Sequence, residues 1–171
     1  MPAEEAITLC KKDLVEEMER MLENCYQLDA GKLLRDRALL CKGGSVYAAR
    51  RSLIEELWKT HPYTAGVHIA VARGRVLQPS LGLLSLLSRE DMQPGTHYAM
   101  ITWRGAVFFL YGRDVLPGSI VRVSIKQGCR LPLIVLDPDG LPLGYGRPRR
   151  RNGELIILNV LDAGWYLRSG V

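Results

Sequence analysis

Apolar residues recur at steps of three or four along the N-terminal stretch of this 171-residue chain. The positions that form the stripe are Ile7, Cys10, Leu14, Met18, Met21 and Cys25. Such steps keep side chains on one face of an α-helix, so the stripe predicts an amphipathic helix that ends around Tyr26. We interpret the sulfur-rich stripe as core packing rather than as a ligand site.

Short segments separated by turn residues follow the first helix. Their pattern predicts a two-stranded antiparallel ribbon around Gly43-Gly44, then a helix, a second strand pair and a third helix with Ser80 as its N-cap. The predicted ranges are 37–41 and 46–47 for the ribbon, 49–60 for the helix, and 67–71 and 76–77 for the second strand pair. The spacing of a phosphate-binding loop is absent around Gly43, so the two glycines are predicted to form a hairpin turn.

The second half of the chain predicts mostly β-structure. Six candidate strands cover residues 97–102, 106–111, 120–125, 133–136, 141–146 and 154–160. The turns between them carry Arg104-Gly105, Pro117-Gly118, Asp137-Pro138-Asp139-Gly140 and Asn152-Gly153. Many short strands at this spacing are typical of a small barrel or sandwich. The chain is predicted to close with a short helical turn that has Asp162 as its cap and is docked by Trp165 and Tyr166.

Positive charge is concentrated in the same half of the chain. The whole chain has a formal net charge of +5. Residues 1–60 carry −1 and residues 61–95 carry +1, whereas residues 96–171 have ten Lys and Arg against five Asp and Glu. The change coincides with the turn Gln93-Pro94-Gly95, which predicts a domain boundary after residue 94 and a polyanionic partner for the second domain.

Four arginines within residues 147–151 form the strongest local feature: Arg147, Arg149, Arg150 and Arg151. They lie between two predicted strands, so we expect them near a hairpin tip that presents guanidinium groups to phosphate. A solvated charged turn is the alternative. Other basic residues that we expect to extend the patch are Arg104, Arg113, Arg122, Lys126 and Arg130. Trp103, beside Arg104, is a candidate for stacking on a base, with core packing as its alternative.

The four cysteines do not form a recognisable metal or redox motif. Cys10, Cys25, Cys41 and Cys129 are widely spaced, without a CxxC pair or a histidine at zinc-binding spacing. We therefore predict buried, reduced thiols, with disulfides as the alternative for a hyperthermophilic source.

Signals for catalysis are weak. The histidines His61, His68 and His97 are not accompanied by a GxSxG elbow, and no dinucleotide fingerprint is present. We expect His68 to be structural within a strand, and Asp114 and Asp162 to be turn or cap residues. The sequence therefore predicts no catalytic residue, no metal and no cofactor.

Three segments of the second half together resemble a PUA domain. They are residues 109–116 (FLYGRDVL), 139–146 (DGLPLGYG) and 161–168 (LDAGWYLR). More narrowly, they are similar to the Nip-seven family of ribosome-biogenesis proteins. Residues 62–69 (PYTAGVHI) and 79–81 (PSL) extend the similarity into the first half. The short, Arg-rich chain resembles archaeal members of that family more than eukaryotic ones.

The resemblance implies an α+β protein with two domains. An N-terminal α/β pre-PUA domain, residues 1–94, would precede a small mixed β-barrel, the PUA pseudobarrel of residues 95–171. The family is non-enzymatic, binds RNA through the PUA domain and acts in maturation of the large ribosomal subunit and its rRNA. Its basic surface would correspond to Arg147, Arg149, Arg150 and Arg151, and assembly factors would bind the N-terminal domain.

A cytoplasmic location is expected, or a nucleolar one for a eukaryotic source. Because even the longest apolar run, residues 106–111, is short, no membrane partner is expected. Two other functions fit the same features. The first is an accessory or RNA-binding subunit of an RNA-modifying enzyme, against which the N-terminal half offers few candidate acids, bases or cofactor loops. The second is a protein–protein module for assembly factors, whose basic loop neutralises an acidic partner.

Overall fold

The structure, a computed structural model, describes residues 6–60, 62–74, 76–92 and 95–169. The chain forms two units, of which the first comprises Met1–Glu23 and Asp29–Leu86 and the second Asn24–Leu28 and Leu87–Val171. The predicted boundary turn Gln93-Pro94-Gly95 follows the division at Leu87, and Gln93 and Pro94 lie outside the described residues. The second unit is therefore assembled from two separate stretches of sequence.

A five-stranded antiparallel meander forms the sheet of the first unit. Its strands, in sheet order, are β1 (Thr8–Leu9), β2 (Arg37–Lys42), β3 (Ser45–Arg50), β4 (Val67–Arg73) and β5 (Val76–Pro79). Gly43 and Gly44 join β2 to β3 with φ angles of 55° and 80°, which glycine adopts without steric cost. The predicted ribbon and the second strand pair are therefore confirmed.

The described helices of the first unit are short. The α-helices are α1 (Lys12–Arg20), α2 (Ala30–Leu34), α3 (Ile54–Thr60) and α4 (Leu81–Leu84). α1 continues as a π-helical segment, Met21–Cys25, so the predicted end around Tyr26 is confirmed. The predicted N-terminal helix is wrong before residue 12, because Thr8 and Leu9 pair with β2 instead. The helix predicted from residue 49 also begins later, because β3 continues to Arg50 in pairing with β2. At both places, strand pairing with β2 prevails over the helical pattern of the sequence.

Helix α4 packs tightly against β4. A Cβ atom at Gly82 would lie 2.1 Å from the carbonyl oxygen of His68, so a larger residue does not fit there. Ser80 occupies the N-cap position as predicted, but its side chain makes no capping bond. Its hydroxyl instead donates to the His68 carbonyl at 2.5 Å, which ties the start of α4 to the strand.

The second unit contains a mixed five-stranded sheet in the order β10-β9-β8-β6-β7. Its strands are β6 (Tyr98–Ile101), β7 (Ile120–Ser124), β8 (Leu133–Leu136), β9 (Pro142–Arg151) and β10 (Glu154–Asp162). β6 and β8 run parallel, and the other neighbours are antiparallel. Five of the six predicted strands are confirmed.

The sixth predicted strand, residues 106–111, is wrong, because these residues belong to a helix. Helix α5 (Trp103–Leu110) begins after Thr102, whose hydroxyl accepts a 3.1 Å hydrogen bond from the Gly105 N–H. Arg104-Gly105 therefore lies in the first helical turn and not in a hairpin. The buried side chain of Phe109 joins Leu133, Val135 and Ile157 of the sheet in the core of this unit.

The chain then reaches a short helix, α6 (Trp165–Arg168), that is anchored by an ion pair. Asp162 is the buried last residue of β10 and accepts two hydrogen bonds from Arg168, at 3.0 and 2.8 Å. Asp162 is therefore not the predicted cap, and Gly164 occupies that position. Trp165 and Tyr166 are about half exposed and pack edge to face on each other, and docking of α6 by these rings stays a prediction.

Residues Asn24–Leu28 supply buried groups to the second unit although they lie far from it in sequence. The Tyr26 side chain is fully buried, and its hydroxyl donates to the Pro132 carbonyl at 2.8 Å. Its ring centre lies 6.3 Å from that of His97 and 6.5 Å from that of Tyr145. Burial raises the pKa of the Tyr26 hydroxyl well above its ordinary value. The segment is thus an integral part of the second unit's interior.

The prediction of reduced thiols is wrong, because all four cysteines are disulfide-bonded. Cys10 pairs with Cys41 in the first unit, and Cys25 pairs with Cys129 in the second. The partners are 31 and 104 residues apart in sequence, so spacing gave no sign of the pairing. In the described part of the chain, no helix has both the length and the apolar character required to cross a bilayer.

Candidate nucleic-acid interface

The arginine run lies on a strand that is fixed to the core of the second unit. β9 and β10 form a hairpin whose tip is Asn152-Gly153, with φ angles of 51° and 82°. Left-handed conformations at both turn residues match the twist of a two-residue hairpin, which explains the Asn-Gly pair. Ile157 of β10 is fully buried and lies directly opposite Pro148. The arginines themselves are therefore part of β9, and the turn follows them.

Strand geometry separates the four arginines into three and one. Successive side chains point to opposite faces of a strand, and the register of β9 with β10 is regular from Arg147 to Arg151. Arg147, Arg149 and Arg151 therefore share one face. Arg150 shares the opposite face with Leu155, its cross-strand neighbour, and its Nη1 donates to the Gly153 carbonyl at 3.0 Å.

The three arginines on the common face have exposed side chains. None of them makes a side-chain hydrogen bond or ion pair with any residue that the structure describes. Residues two apart on a strand are separated by about 6.8 Å, so the row presents guanidinium groups at regular intervals over about 14 Å. We call Arg147, Arg149 and Arg151 the arginine face. Such a row of guanidinium groups is suited to binding successive phosphates of an extended nucleic-acid strand.

Arg113 is a further basic residue near the hairpin, and contacts of its loop with β10 hold it there. Val115 and Ile157 exchange both backbone hydrogen bonds, at 2.8 and 3.0 Å. Asp114 also accepts the backbone N–H of Asn159 at 2.8 Å, as expected for a turn residue. These bonds fix the loop that carries Arg113 about two strand spacings, or roughly 10 Å, from the arginine face.

A groove of about 930 Å³ opens between α5 and the loop after it. Residues that line it include Thr102, Arg104, Phe108, Arg113, Val115 and Leu116. The Arg104 guanidinium lies 5.8 Å from the centre of the half-exposed Phe108 ring. The groove thus combines an exposed aromatic ring with two cations, the combination that binds a nucleobase and its phosphate in single-stranded nucleic acid.

Lys126 and Arg130 lie on the loop between β7 and β8, at one end of the sheet. β8 begins at Leu133, opposite Gly146, so the arginine run extends past the start of β8 at this same end. Three groups fix the position of this loop: His97, Tyr26 and the Cys25–Cys129 disulfide. The structure therefore brings Lys126 and Arg130 to the end of the sheet where the arginines lie.

His97 fixes this loop as a neutral imidazole. Its Nδ1 accepts the backbone N–H of Lys126 at 3.0 Å, and its Nε2 lies 3.1 Å from the Leu131 carbonyl. A ring that accepts on one nitrogen and donates from the other carries one proton. Burial lowers the pKa of His97, and the hydrogen bond to Leu131 offsets part of this effect.

Arg122 is not brought to the other predicted residues. It pairs with Met100, which pairs with Leu136, which pairs with Pro142 at the far end of β9. Arg122 is therefore separated from the arginine face by two intervening strands and by several residues along the sheet. Arg122 is expected in the patch because it is basic, but strand order determines its position.

The sequence also failed to indicate the groove, because α5 was predicted as a strand. Phe108 is not among the expected site residues, and Arg104 is expected in a turn. A usable signal was present in Thr102, a good N-cap residue, and in Gly112, whose φ of 80° ends the helix. Trp103 is more than half exposed on α5, which excludes the core-packing alternative.

Residues 97–171 match a family model described as the UPF0113 PUA domain. Two archaeal proteins, each described as a UPF0113 protein, are similar to the chain. The one from Aeropyrum pernix is 36% identical over 108 residues, which cover 63% of this chain and 59% of that protein. The one from Archaeoglobus fulgidus is 32% identical over 150 residues, 81% of this chain and 83% of that protein.

Two solved structures share the fold. A hypothetical protein from Pyrococcus horikoshii has a TM-score of 0.60 at 17% identity, and the match covers 94% of this chain and 98% of that one. A conserved PUA domain protein from Thermoplasma acidophilum has a TM-score of 0.59 at 14% identity, with 96% and 99% covered. The predicted α+β class, a pre-PUA domain followed by a PUA pseudobarrel, is confirmed. The chain belongs to the UPF0113 family, and its second unit carries that family's PUA domain.

Proposed function

We propose that this protein is a non-catalytic RNA-binding protein that acts in maturation of the large ribosomal subunit. It contacts rRNA through the arginine face of its PUA domain, and its N-terminal unit is available to assembly factors. The observation that carries the proposal is the arginine face: three exposed guanidinium groups on one face of an anchored strand. Glu154 lies opposite Arg151, but none of the three arginines forms an ion pair with a described residue. A PUA domain points to RNA as the polyanion.

Binding is expected to combine phosphate contacts with weak base selection. The arginine face supplies charge-assisted hydrogen bonds to phosphates, which position the RNA without reading its sequence. The groove beside α5 offers Phe108 and Arg104 to an unpaired base. Since β9 and β10 hold the arginines on a paired backbone, binding requires ordering of the side chains but not of the strand.

The test is RNA affinity measured over a salt series with a fluorescent fragment of large-subunit rRNA. R147Q/R149Q/R151Q removes three phosphate contacts, so the slope of log K against log salt should become less negative by about 2 for single-stranded RNA. A matched control, K11Q/K12Q/R73Q, removes three exposed charges from the first unit and should leave the slope unchanged. Equal affinity and slope in the two variants would contradict the proposed surface.

The ribosomal part of the proposal needs a separate experiment. Crosslinking in cell extract, with the RNA sequenced, should recover large-subunit rRNA or its precursor. Recovery of tRNA or mRNA alone would contradict a role in ribosome maturation while leaving RNA binding intact. Mass spectrometry of nucleosides after incubation of the protein with rRNA should show no new modification, whereas a new modified nucleoside would contradict the non-catalytic role.

A further inference from the structure

A second basic site lies in the first unit, in a pocket of about 330 Å³ beside β2. Three arginines line it: Arg35, which follows α2, Arg37, which begins β2, and Arg51, which follows β3. Glu19 of α1 is the acidic residue among the described lining residues, which together carry a net charge of +2. The charge of residues 1–60 sums to −1, which is why this cluster was not visible from the sequence totals.

The backbone fixes these arginines next to one another. The N–H of Arg51 donates to the carbonyl of Asp36 at 2.9 Å, which joins the end of β3 to the start of β2. Arg37 is directly paired with Arg50 across the two strands. Strand pairing and this bond therefore set the backbone positions of Arg37 and Arg51, and Arg35 lies in the short turn just before β2.

This arrangement places like charges in direct opposition. Identical charges on directly paired strand residues destabilise a sheet. None of the side chains of Arg35, Arg37, Arg50 and Arg51 makes a hydrogen bond or ion pair with a residue described by the structure. The Cys10–Cys41 disulfide and apolar neighbours such as Leu9 and Leu39 form part of the same wall and lower the local dielectric constant. Arg37 is the member of the opposed pair that lines the pocket, so an anion bound there would offset its charge and satisfy the free donors of Arg35, Arg37 and Arg51.

We propose that the pocket binds a phosphate group, supplied either by a small phosphorylated molecule or by an RNA backbone. Arginine forks match the oxygens of phosphate in a two-point geometry, and three forks around one pocket can neutralise a doubly charged phosphate. Arg37, which is half-buried, forms the inner contact, whereas the exposed Arg35 and Arg51 close over the anion from the rim. Glu19 lies on the wall formed by α1 and limits the site to one anion.

The first experiment titrates the full-length protein with inorganic phosphate at constant ionic strength. Arginine side-chain N–H signals of Arg37 and Arg51 should shift in NMR spectra and saturate, and the thermal midpoint should rise with phosphate because binding stabilises the folded chain. R37Q and R51Q should each weaken phosphate binding by about tenfold, as for loss of one charge-assisted contact. R73Q, an exposed arginine of the same unit outside the pocket, should bind like the wild type.

The second experiment identifies the source of the phosphate. It uses a short RNA oligonucleotide and AMP with the R147Q/R149Q/R151Q protein, so that the arginine face does not contribute. An RNA backbone as source predicts that the oligonucleotide shifts the same arginine signals and that R51Q weakens its binding by about tenfold, as followed by the Arg37 signal. A small molecule as source predicts shifts with phosphate and AMP alone. The proposal is overturned if no probe gives saturable shifts, or if R37Q and R51Q both behave like R73Q; neither result bears on RNA binding by the arginine face.

Discussion

Arg150 donates a hydrogen bond from Nη1 to the carbonyl oxygen of Gly153 at 3.0 Å. The bond closes the hairpin tip and holds this guanidinium on the strand face opposite the arginine face. Four arginines that are close in sequence therefore have two separate roles, three in presenting charge and one in stabilising the turn. The division follows from the two-residue period of a strand.

The first prediction compares single substitutions within the run. R149Q should weaken RNA binding and reduce the salt slope by about 0.7, the value for one phosphate contact with a single strand. R150Q should leave the slope unchanged and lower the free energy of unfolding by about 1 kcal/mol, through loss of the turn bond. Fluorescence anisotropy over a salt series and urea denaturation measure the two effects. Equal salt slopes for R149Q and R150Q would refute the separation of roles.

The second prediction concerns residues outside the run. R113Q should lower RNA affinity severalfold, because Arg113 lines the groove and is held next to the hairpin through the Val115–Ile157 pair. R122Q removes the same charge from β7, which two strands separate from β9, and should leave affinity within about twofold of the wild type. The measurement is RNA affinity at moderate salt, where long-range charge effects are screened. A larger loss for R122Q than for R113Q would contradict the assigned interface.

The third prediction is a pH dependence of stability that arises from His97. Its pKa is lowered in the folded protein, so the unfolded chain binds a proton that the folded chain does not as pH falls below about 6.5. The free energy of unfolding should therefore be highest above that pH and decrease below it until the lower folded pKa is reached. Urea denaturation between about pH 7.5 and about pH 5 should show this decrease. H97Q should flatten it, and an unchanged pH profile in H97Q would assign the dependence to other groups.

The fourth prediction ranks the two disulfides. Loss of the Cys25–Cys129 bond, which closes 104 residues, should cost about 4.7 kcal/mol in the loop-entropy model. Loss of the Cys10–Cys41 bond, which closes 31 residues, should cost about 3.7 kcal/mol. C25S/C129S should therefore unfold at lower urea concentration than C10S/C41S. The reverse order would mean that strain or unfolded-state structure dominates over loop length.

The fifth prediction tests the buried tyrosine. Y26F removes the hydroxyl that donates to Pro132 and leaves that carbonyl without this partner, so the free energy of unfolding should fall by about 1–2 kcal/mol. Y111F, on the exposed Tyr111 of the same unit, is the matched control and should be neutral. Urea denaturation of both variants measures the two free energies of unfolding. A neutral Y26F would show that water replaces the lost donor.

Much of the fold could be predicted where local signals and strand pairing agree. The ribbon around Gly43-Gly44 and the Asn152-Gly153 hairpin carry glycines at positions of positive φ, so turn chemistry located both. Helix α5 was missed because Val107 and Phe108 are apolar yet exposed, which gives a continuous apolar run typical of a buried strand. A helical pattern requires polar residues on the outer face, and α5 has few.

The candidate site was predictable in its residue types but not in its geometry. The sequence pointed to Arg147, Arg149, Arg150 and Arg151, but the extent of β9 was underestimated, and so the alternation that separates Arg150 from the others was not visible. Arg122 was misplaced because strand order depends on contacts between distant residues. The pairing of Cys25 with Cys129 could not be predicted for the same reason.

The role of Asn24–Leu28 has a consequence for dissecting the protein. A fragment that starts at Thr96 would contain the family-matched region but would lack Tyr26, whose ring neighbours His97 and Tyr145 in the intact chain. Such a fragment would expose apolar surface where that ring was and would leave Cys129 as an unpaired thiol. During synthesis, the same segment leaves the ribosome long before its partners, so the PUA unit completes its interior only after His97, Pro132 and Tyr145 have been translated.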